Sequence, residues 1–67
     1  MKKKDRSMKP LTTDIHFYTA QMERTPIVVF INSELIGSGV IEDITEYTIK
    51  IKDERYARGV CTFKYAG

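Results

Sequence analysis

Residues Thr25–Ala66 read TPIVVFINSELIGSGVIEDITEYTIKIKDERYARGVCTFKYA, a series of short β-branched and aromatic runs separated by turn residues. Runs of this composition and length are typical of strands in small antiparallel sheets. The segment Asp53–Arg58 is densely charged and is predicted to be a loop. The pattern therefore predicts four strands, which cover Pro26–Ile31, Leu35–Asp43, Tyr47–Lys52 and Val60–Tyr65.

Two features of the predicted strands indicate how the sheet folds onto a core. Gly37 and Gly39 lie within the second strand and indicate a bend or bulge, because glycine lacks the side chain that would clash at a sheet corner. In the third strand, Tyr47, Ile49 and Ile51 alternate with polar residues. This alternation predicts that these three side chains face the core.

A short amphipathic helix is predicted before the first strand. Thr12 or Thr13 offers a capping oxygen, and apolar residues then recur at helical spacing as far as about Glu23. Pro26 follows, and the residue before a proline favours extended backbone, so the helix ends ahead of it. His16 is expected on the polar face of this helix. The predicted apolar face consists of Ile15, Tyr18 and Met22, widened by Phe17 and Ala20.

The order of these elements predicts a mainly β fold, with a short N-terminal helix followed by a small, strongly bent antiparallel barrel, closed or open, of SH3-like or Sm-like type. Residues 1–11 are predicted to be a basic flexible tail and residues 12–67 the single domain. A chain of 67 residues has a thin core. Cys61 is the only thiol, so no intrachain disulfide can form, and association with a second chain is the expected source of further burial.

Charge is distributed unevenly along the chain. Residues 1–10 hold five basic side chains and one acidic one, a net charge of +4, while the chain as a whole carries +2. The remainder is therefore mildly acidic, at −2. A basic tail on an acidic body reads either as an interaction arm or as a solvated leader. No apolar stretch resembles a signal peptide or a membrane span, so a cytoplasmic protein without a membrane partner is expected.

The sequence offers no motif for catalysis. It contains no paired carboxylates, nucleophile–base pair, phosphate-cradling glycine loop or metal-ligand cluster of recognisable spacing. We therefore expect neither an enzyme nor a protein with a metal or cofactor. Cys61 is interpreted as a small core residue.

The end of the chain suggests a different kind of site. Phe63-Lys64-Tyr65 sets a cation between two aromatic residues, and such a set can stack a nucleobase and neutralise a phosphate. Residues 9–66 resemble the Sm-like family, most closely its bacterial RNA-chaperone branch, Hfq. Thr25–Ile31 is similar to the first strand of that branch, Gly39–Glu42 to its Gly-x-Ile-Glu bend and Glu46–Ile49 to its aromatic strand. Phe63–Ala66 takes the place of its Tyr-Lys-His-Ala motif.

The resemblance implies an RNA chaperone or post-transcriptional regulator that forms a homo-oligomer, as a ring. It implies binding of single-stranded RNA, U-rich at the pore and A-rich on the opposite face. By position, Tyr47 is the pore-side aromatic that stacks a base, Lys64 the pore cation and Tyr65 the replacement for the pore histidine. Phe30 is placed on the opposite face and Arg24 near the outer rim.

Departures from the family pattern leave a second interpretation open. Asp14 and Glu46 place carboxylates beside the implied RNA pocket, where they would repel phosphate. The family continues past its motif into a fifth strand that pairs with a neighbouring subunit, and this strand is expected to be missing here. The alternative is an Sm-like module that binds or modulates a protein partner and does not bind RNA.

Overall fold

The computed structural model describes residues 8–66, which form one helix and six strands. Two three-stranded antiparallel sheets result, in the orders β2-β1-β6 and β3-β4-β5, and they do not close into a barrel. The predicted mainly β fold with a short N-terminal helix is confirmed. The elements are α1 Asp14–Met22, β1 Ile27–Ile31, β2 Glu34–Gly39, β3 Ile41–Ile44, β4 Thr48–Ile51, β5 Glu54–Ala57 and β6 Thr62–Tyr65.

The bend predicted in the second strand is confirmed, and it carries the chain from one sheet to the other. Gly39 ends β2 with a φ of 143°, a backbone conformation that side chains strongly disfavour. A Cβ at Gly39 would lie 2.8 Å from Cγ2 of Ile51, and a Cβ at Gly37 would lie 2.3 Å from the Tyr56 hydroxyl. Both glycines therefore allow side chains of the second sheet to approach the backbone of the first.

The prediction of a loop over Asp53–Arg58 is wrong, because it contains strand β5. A two-residue turn joins β4 to β5, and its residues Lys52 and Asp53 both have positive φ, 51° and 69°. Positive φ at both positions suits the right-handed twist of a hairpin. If Glu34–Ile44 is counted as one bent strand, residues 8–66 contain five strands, one more than the four predicted. Phe63-Lys64-Tyr65 lies in the last of them.

The core lies between the two sheets and under the helix. The rings of Phe17 and Phe63 meet edge to face, with centroids 5.3 Å apart and planes at 89°. This contact joins α1 to β6 in a geometry that aromatic pairs prefer. The buried apolar residues are Leu11, Phe17, Ala20, Ile27, Val29, Ile41, Ile49, Ile51, Phe63 and Tyr65.

The helix begins as predicted but turns a different face inward. Thr13 caps it, and the ring of His16 accepts hydrogen bonds from the amides of Thr12 and Thr13, so His16 completes a capping box. Phe17 and Ala20 are the helical residues that are buried. The ring of Phe17 meets Phe63 in the core, and Ala20 is fully buried beside it on the same side of the helix.

The predicted apolar face of the helix is consequently wrong for three of its five residues. Ile15, Tyr18 and Met22 are 74%, 53% and 77% exposed. Gln21 is half-buried and donates a hydrogen bond of 3.0 Å from Nε2 to the carbonyl oxygen of Glu42, which links the helix to β3. We call Ile15, Tyr18 and Met22 the helix stripe. Among residues 8–66, no helix has the length and apolar character required to cross a membrane.

The predicted tail contains ordered backbone where it is described. The amide of Met8 donates to the carbonyl of Tyr65 at 2.8 Å, the amide of Tyr65 to the carbonyl of Lys9 at 2.9 Å, and the amide of Leu11 to the carbonyl of Phe63 at 2.8 Å. Leu11 is buried in the core. The prediction of a flexible tail is therefore wrong for residues 8–11, and its remaining part, residues 1–7, lies outside the described residues.

The bend at Gly39 gives a first prediction. Gly39→Ala places a Cβ against Ile51 and forces a side chain into a disfavoured φ, so we expect it to lower the free energy of unfolding by about 2 kcal/mol. Urea unfolding followed by circular dichroism measures this loss. Gly59→Ala is the matched control, because a Cβ at Gly59 meets nothing within 4 Å. Equal effects of the two substitutions would contradict the role assigned to Gly39.

Candidate functional site

Tyr47 lies in the turn between β3 and β4, with its side chain 72% exposed. The hydroxyl oxygen of Thr45 accepts hydrogen bonds from the amides of Tyr47 and Thr48, at 3.2 and 2.9 Å. The amide of Arg58 donates to the carbonyl of Tyr47 at 2.8 Å. The backbone of Tyr47 is thus fixed while its ring stands in solvent. The prediction that Tyr47 faces the core is wrong, because the strand begins only at Thr48.

A groove of about 530 Å³ opens beside this ring, and we call it the Tyr47 groove. Its floor is aromatic, since the edges of Phe17 and Phe63 reach it from the core. Arg58 and Glu46 bring charges of opposite sign to it. The remaining lining comes from Pro10, Leu11, Thr12, Gly59, Cys61 and Thr62.

Arg58 is the principal charged group of the Tyr47 groove, and its side chain is only 19% exposed. Its guanidinium donates to Oδ1 of Asp14 and, at 2.7 Å, to the carbonyl oxygen of Thr45. Its central carbon also lies 4.8 Å from the centroid of the Phe17 ring. One side chain therefore joins the start of α1, the turn before β4 and the end of β5. Sequence reasoning missed Arg58, since nothing distinguished it from the other charges of its segment.

The carboxylates of Asp14 and Glu46 lie near Arg58, in different environments. Asp14 forms an ion pair with Arg58, so the positive guanidinium partly cancels the repulsion that the Asp14 carboxylate would exert on a nearby anion. Glu46 is exposed and lines both the Tyr47 groove and a neighbouring depression that also contains Asp14 and Tyr18. The electrostatic character of the groove is therefore close to balanced.

Phe30 and Lys64 lie together in a second, smaller cleft. The ammonium of Lys64 stands 5.4 Å from the centroid of the Phe30 ring, a cation–π contact. Met8, Ser33 and Thr62 complete the lining of this cleft of about 290 Å³. We call it the Phe30 cleft. The resemblance placed Phe30 and Lys64 on opposite faces, whereas the structure brings them into contact. Thr62 lines both the cleft and the Tyr47 groove, so the two adjoin.

Tyr65 and Arg24 do not join these surfaces. Alternation along β6 turns Phe63 and Tyr65 inward and Lys64 outward, so these two rings and the cation do not form one exposed site. Tyr65 is 8% exposed, and its ring belongs to the core. Arg24 is exposed just after the helix, with a φ of 55°, and lines a separate depression with Gln21, Glu42 and Lys52.

Cys61 is half-buried at the floor of the Tyr47 groove and packs against the core. Burial raises the pKa of its thiol, so the protonated, weakly nucleophilic form dominates near neutral pH. The predicted packing role of Cys61 is consistent with this environment.

No family model, curated protein or solved structure matches this chain. Its function is therefore inferred from its own residues and their geometry.

The three contacts of Arg58 give a second prediction. Arg58→Lys keeps the charge but cannot bind Asp14, Thr45 and the Phe17 ring together, so we expect the free energy of unfolding to fall by about 1–2 kcal/mol. Thermal and urea unfolding measure the change.

Arg55→Lys is the matched control for Arg58→Lys. Arg55 also bridges a carboxylate and a threonine, Asp43 and Thr48, but its side chain is 46% exposed. Solvent screens such a pair, so a loss below about 0.5 kcal/mol is expected. A loss at Arg55 as large as that at Arg58 would show that the three contacts of Arg58 contribute no more to the free energy of unfolding than an exposed ion pair does.

Proposed function

We propose that this chain binds single-stranded RNA and acts as an Hfq-like chaperone or post-transcriptional regulator, without catalytic turnover. The observation that carries the proposal is an exposed aromatic ring on a fixed backbone, Tyr47, at the mouth of a groove that also presents Arg58. Chemistry of this kind suits a partner that offers both a planar base and a phosphate. RNA in the cytoplasm is the partner we infer.

Stacking is the main source of affinity in this proposal. A base stacked on an aromatic side chain contributes about 1–3 kcal/mol, and the contact tolerates any sequence because every base has a flat face. The three hydrogen bonds around Tyr47 hold its backbone before RNA arrives, so little backbone freedom is lost on binding.

Charge contributes less at the Tyr47 groove than at the Phe30 cleft. Arg58 is already engaged by Asp14, and Glu46 faces the same groove. Lys64 has an aromatic neighbour, Phe30, and can approach a phosphate while the base beside that phosphate meets the ring. We therefore propose a path in which RNA crosses Thr62 from the groove to the cleft. U-rich and A-rich strands are the substrates to compare.

We also propose that the protein functions as a homo-oligomer, in the ring form that the resemblance implies. Support comes from the size of the chain and from its open sheet edges, since a domain of 67 residues gains burial by association. The outer side of β5 is an edge of its sheet within the described residues. Edges of this kind are templates for pairing with another chain.

A second candidate function is supported by the helix stripe. Ile15, Tyr18 and Met22 are spaced so that they share one side of α1, and each is more than half exposed. Clustered apolar side chains on a surface helix are typical of protein-binding faces. In this alternative, the chain is a protein-interaction or modulator module.

Tyr47→Ala separates the two candidate functions. We expect the affinity for short 5′-labelled oligo-U or oligo-A RNA to fall about tenfold, because one stacked base is lost, whereas Tyr47→Phe should bind as the original chain does. Fluorescence anisotropy at low and physiological salt measures both. Affinity should also decline with salt, by an amount set by the few phosphates that are neutralised.

Tyr18→Ala is the control, because Tyr18 is an exposed tyrosine of the helix stripe. It should leave RNA affinity within about twofold. If the original chain binds neither RNA at low salt, the RNA proposal fails and the helix stripe becomes the better-supported surface. If Tyr18→Ala weakens binding as much as Tyr47→Ala, the RNA path assigned here is wrong.

A further inference from the structure

We propose that Met8–Leu11 is a displaceable strand that occupies the edge of β6 and competes there with β5 of a second copy of the chain. We call these four residues the cover segment. The inference deepens the homo-oligomer proposed above and rests on it. The added point is that residues 8–11 of each chain limit its association with other copies.

The cover segment satisfies the backbone groups that β6 directs away from β1. Its three hydrogen bonds all reach Phe63 and Tyr65, the alternate residues of β6. Pro10 stands between them, opposite Lys64, in an antiparallel bridge. The edge of β6 is thus closed by the chain's own N-terminal residues.

The composition of the cover segment makes its hold on β6 local and weak. Leu11 is its one buried residue, while Met8, Lys9 and Pro10 are exposed. Segments with few buried contacts and solvent-exposed hydrogen bonds open at a small fraction of the global unfolding free energy. Residues 8–10 can therefore leave β6 while the rest of the domain stays folded.

Pro10 makes the competition exclusive. In the alternation of the bridge, its backbone nitrogen faces away from β6, where an ordinary residue would offer an N–H to another strand. Proline has no N–H, so the outer side of the cover segment is a poor template for a further strand. A partner strand must displace the cover segment to pair with β6.

The chain supplies a suitable partner strand in β5. The amide of Arg58 donates to Tyr47, so alternation directs the backbone of Arg55 and the amide of Ala57 away from β4. β5 and β6 are both four residues long. Pairing β5 of one copy with β6 of the next is a heterologous contact, and each copy then retains one edge of each kind to continue the assembly.

Solution mass tests the inference, by comparing the full chain with a variant that lacks residues 1–10 but retains Leu11. Removing residues 1–10 should lower the concentration needed for association at least tenfold, measured by sedimentation velocity. Circular dichroism establishes that the shortened chain is folded. A folded, shortened chain that associates no more readily than the full chain would overturn the proposal.

A locked chain gives an independent test that removes no residue. Pro10→Cys with Lys64→Cys, in a Cys61→Ser background, joins two residues that face each other across the bridge, at a separation that a disulfide can span. The oxidised form should remain monomeric at concentrations where its reduced form associates. Pro10→Ala is the matched control, because it restores the same outward N–H without a lock. Equal association of the oxidised and reduced forms, with Pro10→Ala associating no more than the original chain, would refute the displacement even if the shortened chain fails to fold.

The role of β5 is tested in the same assay with Arg55→Pro, which removes an outward N–H, and with Arg55→Ala, which keeps it. Association of the shortened chain should be lost with proline and retained with alanine. Association that survives proline would assign the contact to another surface, such as the helix stripe.

If every form is monomeric, the homo-oligomer also fails. If the full chain is an oligomer that neither truncation nor locking alters, the homo-oligomer stands and the cover segment's role does not.

Discussion

The close approach of Ile51 to Gly39 is the constraint on which the rest of the structure depends. At this point the chain leaves β2 of the first sheet and enters β3 of the second, and no side chain at position 39 fits against the side chain of Ile51. Because the bend is tight, both sheets turn their apolar faces toward one shared core. The helix then covers the remaining opening with Phe17 and Ala20. The position of Tyr47 follows from this arrangement, since the turn from β3 to β4 is fixed against the end of β5.

The same side chains stabilise the domain and shape its candidate site. Arg58 contacts Asp14 of α1, the carbonyl of Thr45 and the Phe17 ring. Because its guanidinium is already paired with a carboxylate, it attracts a phosphate less strongly. The cost of releasing Arg58 from Asp14 would oppose any gain from a new anion. Stacking on Tyr47 carries no such cost, because the ring contributes little to the core. This difference is the reason for assigning most of the proposed RNA affinity to stacking and a smaller part to charge.

The sequence predicted the elements whose periodicity is determined by burial. The helix, β1, β4, β6 and the bend at Gly37 and Gly39 were all predicted to within a few residues. It failed where tertiary contacts decide between local alternatives. Periodicity alone could not choose between the Ile15 and Phe17 sides of the helix, and the hydrophobic edge-to-face pairing of Phe17 with Phe63 made that choice.

Strand β5 was missed because its residues read as charged, and its turn lacks an asparagine–glycine pair. For the candidate site, Tyr47, Phe30 and Lys64 were each identified from the sequence. The exposure of Tyr47 depends on where β4 begins, and the contact of Phe30 with Lys64 depends on the register of β1 and β6.

Residues 8–11 form a strand-like segment that covers the exposed edge of β6. A four-residue edge such as β6 exposes main-chain donors and acceptors that another chain can use. Covering that edge with a peptide ending in a buried leucine satisfies those groups at little cost in length. Pro10, the residue before that leucine, prevents the cover from becoming a new edge. The outer side of β5 has no comparable cover among the described residues, so the β6 edge is protected and the β5 edge is available. Pairing between these two edges would be a directional contact between copies, because β5 and β6 belong to different sheets.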